Sequence, residues 1–122
     1  MRRARYAAEV TVSDGRRFAS LGIVTVRNRR LVLLWLRRQA LRLANAHGGA
    51  VRDALPGDVR PVRFHGSDAP ERLRLWATDA YRQDDAIRTL EAGFPLHFTV
   101  TDPAVGLSLT LAGWHASPAT PL

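Results

Sequence analysis

From Leu96 to Leu111 the sequence alternates with period two. Leu96, Phe98 and Val100 interleave with His97, Thr99 and Thr101, and Leu107, Leu109 and Leu111 interleave with Ser108 and Thr110. Between the halves, Asp102 to Gly106 supplies turn residues. Side chains of a strand point alternately to opposite faces, so this pattern constrains the stretch to a hairpin with one core face and one wet face. The start of the chain repeats the pattern. Tyr6, Ala8, Val10 and Val12 alternate with Arg5, Ala7, Glu9 and Thr11, then Ser13, Asp14 and Gly15 form a turn signal and Phe18 to Val26 is rich in apolar and β-branched residues. This reads as a second hairpin with Arg16 and Arg17 just past its tip. A short echo, Thr11 to Asp14 against Thr99 to Asp102, reflects shared strand-to-turn chemistry, since Asp and Ser bond nearby backbone groups.

The middle of the chain is less constrained. Leu31 to Leu36 fits either a third strand after a turn at Arg27 to Arg30 or the first turns of a helix, and the helix, from about Leu31 to His47, is the favoured reading. On a helical wheel Val32, Leu33, Leu36, Ala40, Leu43, Ala44 and His47 share one side, with Arg37, Arg38, Arg42 and Asn45 opposite. Gly48 and Gly49 suit a left-handed helix end, and Ala50 to Leu55, leading to Pro56 and Gly57, reads as a connector with room for a short turn. Val62 to His65 and Arg72 to Thr78 admit a hairpin. The latter also matches helical spacing through Leu73, Trp76, Ala77, Ala80 and Tyr81, with Pro70 and Glu71 suited to a first turn. Asp84 to Ala92 reads as a helix started by Asp84 or Asp85 and ended by Gly93. The expected fold class is α+β: antiparallel β-hairpins packed against two helices in a single compact domain over residues 1–122, with a loose tail at 117–122.

At 122 residues the chain has room for one core. Its composition, 46% hydrophobic and 24% charged, is that of a folded domain. With no cysteine, disulfides, thiolate metal sites and thiol catalysis are excluded, which is compatible with a cytoplasmic location. The longest strongly apolar run, Leu31 to Leu36, falls far short of the about 20 residues of a membrane span. Arg2, Arg3 and Arg5 lead into Glu9 and an alternating segment, unlike a cleavable leader.

Charge is the most informative functional feature. All eighteen basic residues are arginine, and the net charge is +7. Residues 1–52 hold twelve arginines against Glu9 and Asp14, a balance of +10, whereas 53–122 hold six against nine acids, a balance of −3. Such polarity suits a phosphate backbone, an acidic protein surface or self-association, and it equally suits a solvated face. The favoured expectation is nucleic-acid binding, DNA or RNA, through Arg16, Arg17, Arg27, Arg29, Arg30, Arg37, Arg38 and Arg42. If the 62–78 hairpin forms, Arg72, Arg74 and Trp76 add a basic ribbon with an indole to stack a base. The competing expectation is a non-catalytic assembly or interaction module that meets another copy, or an acidic partner, through its charge-polarised surface. An enzyme reading comes third. His65, His97 and His115 each precede Ser or Thr by two residues (Ser67, Thr99, Ser117), an arrangement that two-histidine phosphoesterases use when the histidines face each other across a pocket. No metal-ligand spacing, phosphate-binding glycine loop or nucleophile elbow is present, so no cofactor is expected.

Overall fold

The computed structural model describes residues 5–45 and 57–116. In chain order its elements are β1 (Tyr6–Ser13), β2 (Phe18–Val26), α1 (Arg29–Asn45), α2 (Ala69–Thr78), α3 (Ala80–Glu91), β3 (Leu96–Asp102) and β4 (Leu107–His115). Both terminal hairpins form, and β1 pairs with β4 to join them into a four-stranded antiparallel sheet of order β2-β1-β4-β3. The class is α+β as the alternation implied, with three helices where two were expected.

At the first hairpin's tip, Asp14 Oδ1 accepts the backbone N–H groups of Arg16 and Arg17, each at 2.9 Å, and Gly15 supplies the positive φ of 93°. These donors stabilise the carboxylate, so the Asp14 carboxyl titrates below its ordinary value, Arg17 N–H contributing most. Within the hairpin a bulge interrupts the β1–β2 register. Val10 pairs with Gly22 and Thr11 with Ser20, so Leu21 has no partner on β1.

Asn28 starts α1. Its side-chain oxygen accepts Leu31 N–H at 3.0 Å and its backbone carbonyl accepts Val32 N–H at 3.3 Å, so the helix begins at Arg29, two residues before the expected Leu31. The strand alternative for Leu31 to Leu36 does not form. The expected apolar face is buried through Ala44, and Gln39 is buried with it. His47, Gly48, Gly49, the connector Ala50 to Leu55 and the tail from Ser117 lie outside the described residues.

The hairpin considered for 62–78 is replaced by α2. Pro70 in the first turn presets the helical φ, and Ala69, Leu73, Trp76 and Ala77 bury a helical stripe. Asp79 both ends α2 and caps α3: its N–H donates to Leu75 C=O at 2.9 Å while its carboxylate accepts Tyr81 N–H at 2.9 Å. Helix α3 therefore starts at Ala80, earlier than Asp84, and Asp84 instead pairs with Arg88 one turn on at 3.1 Å.

All three helices pack on one face of the sheet, where Ala8, Val10, Leu96, Val100, Leu109 and Leu111 meet the buried stripes of α1, α2 and α3 in one core cluster. Helix α1 packs directly on Gly113 of β4, where an added Cβ would stand 2.6 Å from Val32 Cγ1. Neither side has space to yield, because Val32 is itself fully buried. Gly113→Ala is expected to destabilise the fold by about 1–3 kcal/mol through overpacking, read as a lowered urea midpoint at unchanged m-value.

Candidate functional site

The expected arginine surface divides into two groups. Arg37, Arg38 and Arg42 of α1 are engaged within the fold. Arg37 Nε donates to Ala77 C=O at the end of α2 at 3.0 Å, satisfying a carbonyl that the helix leaves open. Arg38 makes a two-point contact with Asp58 through Nε and an NH2 group, both at 3.0 Å, and Arg42 Nε approaches the other Asp58 oxygen at 3.5 Å without hydrogen-bond alignment. Gln39 completes this cluster, donating to Asp58 Oδ1 and accepting Val59 N–H, each at 2.9 Å. The buried Asp58 carboxylate thus ties the segment after Gly57 to α1, and that segment in turn bonds the bulge of β2 through Arg60 N–H to Leu21 C=O at 3.2 Å.

Arg29 pairs with Glu91 at 3.2 Å, and Arg74 donates to Asn45 Oδ1 at 3.0 Å. Trp76 is 4% exposed and stacks on Phe98 with centroids 5.2 Å apart. The basic ribbon of Arg72, Arg74 and Trp76 is therefore not formed, because the segment that would carry it is helical and its indole fills the core. Arg72 and Arg30 are exposed on the helical layer.

Arg16, Arg17, Arg27 and Arg5 differ. All four are exposed, and their side chains make no ion pair or hydrogen bond among the described residues. They frame the sheet face opposite the helices. By strand alternation this face carries Ala7, Glu9, Thr11 and Ser13 of β1, Ser108, Thr110, Ala112 and Trp114 of β4, and His97, Thr99 and Thr101 of β3. From β2 it carries Phe18, Ser20, Ile23 and Thr25. Phe18 is 79% and Ile23 54% exposed. The pairing aligns Ser20, Thr11, Thr110 and Thr99 in one hydroxyl row, with Thr110 and Thr99 hydroxyls 2.9 Å apart, and Ser13, Ser108 and Thr101 in the next. No described helix covers this face. Ala7 is buried on it, outside the helix-side core, at the register position of Trp114.

Arg16 and Arg17 stand at one end of this face. Arg5 and Arg27 stand at the other, on the alternation that places Thr25 and Ala7 outward. The two rings lie diagonally, Phe18 two strands from Trp114 and about 20 Å along the strand direction at about 3.3 Å per residue. Glu9 is the one carboxylate between the arginine ends among the described residues. Alternation sets apart the polar rows of β1, β3 and β4, but only the strand order makes them one surface.

The histidines do not converge. His97 is on the open face of β3, whereas the backbone N–H of His65 bonds the carboxylate of Asp102, five residues further along β3 on the helix side. His115 packs edge-on against Tyr6 with centroids 5.1 Å apart. The two-histidine arrangement across a pocket is thus absent among the described residues, and Ser117 lies outside them. A groove of about 630 Å³ at the start of α2 is lined by Phe64, Ser67, Asp68, Glu71 and Arg74, among others, with two carboxylates against one arginine. Among the described residues no three acidic or histidine side chains gather as metal ligands, and no helix is long and apolar enough to cross a membrane.

Compared with protein-family models, with curated proteins and with solved structures, the chain matches none. Function is therefore to be read from the site itself.

Proposed function

We propose that the protein binds single-stranded nucleic acid on the open face of its sheet. The observation that carries this reading is the four-stranded face that no described helix covers, with the exposed ring of Phe18, the half-buried ring of Trp114 and rows of hydroxyls between two pairs of arginines that have no partner among the described residues. Exposed aromatics stack bases irrespective of sequence, at about 1–3 kcal/mol per base, while arginines neutralise phosphates. The diagonal from Phe18 to Trp114 suits a strand of a few nucleotides with phosphates reaching Arg16 and Arg17 at one end and Arg5 and Arg27 at the other. Hydroxyls on the intervening rows are donors and acceptors for base edges and sugars. A duplex fits less well, since four strands about 4.8 Å apart make a surface broader than the about 12 Å major groove.

The test is a salt titration of binding to a short labelled single strand, DNA and RNA in parallel, with a duplex for comparison. Phe18→Ala is expected to weaken single-strand binding by about 1–3 kcal/mol and to leave thermal stability unchanged, since the ring is 79% exposed. Arg16→Ala with Arg17→Ala is expected to reduce the slope of log affinity against log salt by about 1.4, two phosphate contacts at about 0.7 each. Arg88→Ala on α3, outside the proposed surface, serves as the control with no change in slope. Absence of binding at low salt, or loss of binding in the Arg88 variant equal to that in the hairpin variants, would overturn the assignment.

A further inference from the structure

The two edges of the sheet are unlike. On the β2 edge the bulge at Leu21 breaks the ladder, and the segment after Asp58 covers it: Arg60 N–H bonds Leu21 C=O, an Arg60 NH2 group bonds Ser20 C=O at 2.9 Å, and Val59 packs on Gly22. Among the described residues the β3 edge carries no bulge and no segment bonded along it, His65 N–H meeting only the carboxylate of Asp102 at its end. Its seven residues pair with β4 in unbroken register, and among the described residues no backbone group bonds the side of Leu96 to Thr101 that faces away from β4. Edge strands are ordinarily guarded by charge, proline, bulges or a covering segment. From Gly93 to Thr101 the sequence has neither arginine nor carboxylate, in a chain with eighteen arginines.

We infer that β3 is a self-association edge, and that two copies of this chain pair antiparallel along it to form one continuous eight-stranded sheet. Three features favour a second copy over another partner. From Leu96 to Thr101 the edge has no arginine or carboxylate, so two molecules of net charge +7 meet there without opposing arginines along the strand. Antiparallel pairing centred on Thr99 sets Phe98 against Val100 of the partner copy and His97 against Thr101, apolar on the helix side and polar on the open face, and at each end Leu96 against Asp102, whose carboxylate accepts His65 N–H within its own chain. The same two-fold places each exposed Phe94, 65% accessible, beside the Ala104 to Val105 turn of the other copy, where Val105 is 47% accessible. Both apolar ends of the edge are thus covered by one symmetric operation, which closes the assembly as a dimer. This inference goes beyond nucleic-acid binding and stands without it, though the dimer would also join two open faces into one.

The test measures mass in solution by light scattering, with no nucleic acid present, over a range of protein concentrations. Wild type is expected to reach twice the 13.5 kDa chain mass. Thr99→Lys with Thr101→Lys, which puts cations on exposed positions of the edge, is expected to remain at the chain mass with an unchanged circular dichroism spectrum. In wild type, amide hydrogen exchange of Leu96 to Thr101 is expected to slow as protein concentration rises, a readout that needs no variant. A wild type that stays at the chain mass, a dimer that survives both lysines, or exchange of these amides independent of concentration would each overturn the inference.

Discussion

Asp58→Ala is expected to lose about 3–5 kcal/mol of stability, the scale for breaking a buried charged cluster by removing one partner. The carboxylate side chain is 4% exposed and meets Arg38 at 3.0 Å and Arg42 at 3.5 Å, while Gln39 Nε2 donates to it at 2.9 Å. Its removal leaves a fully buried amide donor on Gln39 without its acceptor and the Arg42 head, 15% exposed, without its opposite charge. Each such buried group costs about 1–3 kcal/mol when unsatisfied. The loss also propagates: the segment that Asp58 anchors bonds the bulged edge of β2. Urea unfolding followed by tryptophan fluorescence checks this, because Trp35 Nε1 donates to Gly57 C=O at 3.2 Å within the same cluster and reports its opening. Asp58→Asn, which keeps the shape and one acceptor oxygen, is expected to lose less. A change under about 1 kcal/mol in the alanine variant would mean that these contacts act as a surface ion pair.

Trp76→Ala is expected to cost about 3–5 kcal/mol, the range for deleting a large buried aromatic. The indole is 4% exposed and lies nearly parallel to Phe98, at 13°, so the variant loses burial and ring contact and leaves a cavity between α2 and β3. The variant also separates the two roles that the sequence allows for this residue. A core ring gives a large fall in urea midpoint with Trp76→Ala and a smaller one with Trp76→Phe. Nucleic-acid affinity measured under conditions where Trp76→Phe is fully folded is expected to equal wild type. A base-stacking ring would give the converse, weakened binding at unchanged stability.

Much of the local structure was legible residue by residue. Period-two alternation marked Leu96, Phe98 and Val100 as a core row, and of these Leu96 and Val100 are buried with Phe98 partly so. Turn chemistry at Ser13, Asp14 and Gly15 appears as the hydrogen bonds it implied. The boundaries of the helices were less legible because caps decide them: Asn28 and Asp79 are single residues whose capping role shows only once the following N–H groups point at them. The 62–78 region was undecided because Arg72 to Thr78 satisfies both a period of two and a helical stripe. Burial of Leu73, Trp76 and Ala77 against α1 and β3 settles it.

The candidate surface was legible only in part. Charge polarity drew attention to the arginines of the first half, and Arg16, Arg17 and Arg27 are indeed exposed and unpaired among the described residues. Sequence spacing placed Arg37, Arg38 and Arg42 on the same polar helix face, correctly as to exposure for Arg37 and Arg38 but not for the largely buried Arg42, and without their partners, since Ala77 and Asp58 come from segments distant in the chain. Phe18 and Trp114 carry no local sign of belonging to one surface.

By itself the sequence determined the two terminal hairpins and the long first helix, because alternation, helical stripes and turn residues act over a few neighbours, and it determined that the class is α+β. Tertiary structure decided that β1 pairs with β4, the two strands farthest apart in the chain. That choice depends on which faces bury most apolar area together, a property of the whole set of elements and not of any one. It also decided which arginines are consumed by the fold and which remain for a ligand, because an ion pair across the chain is fixed by distance in space.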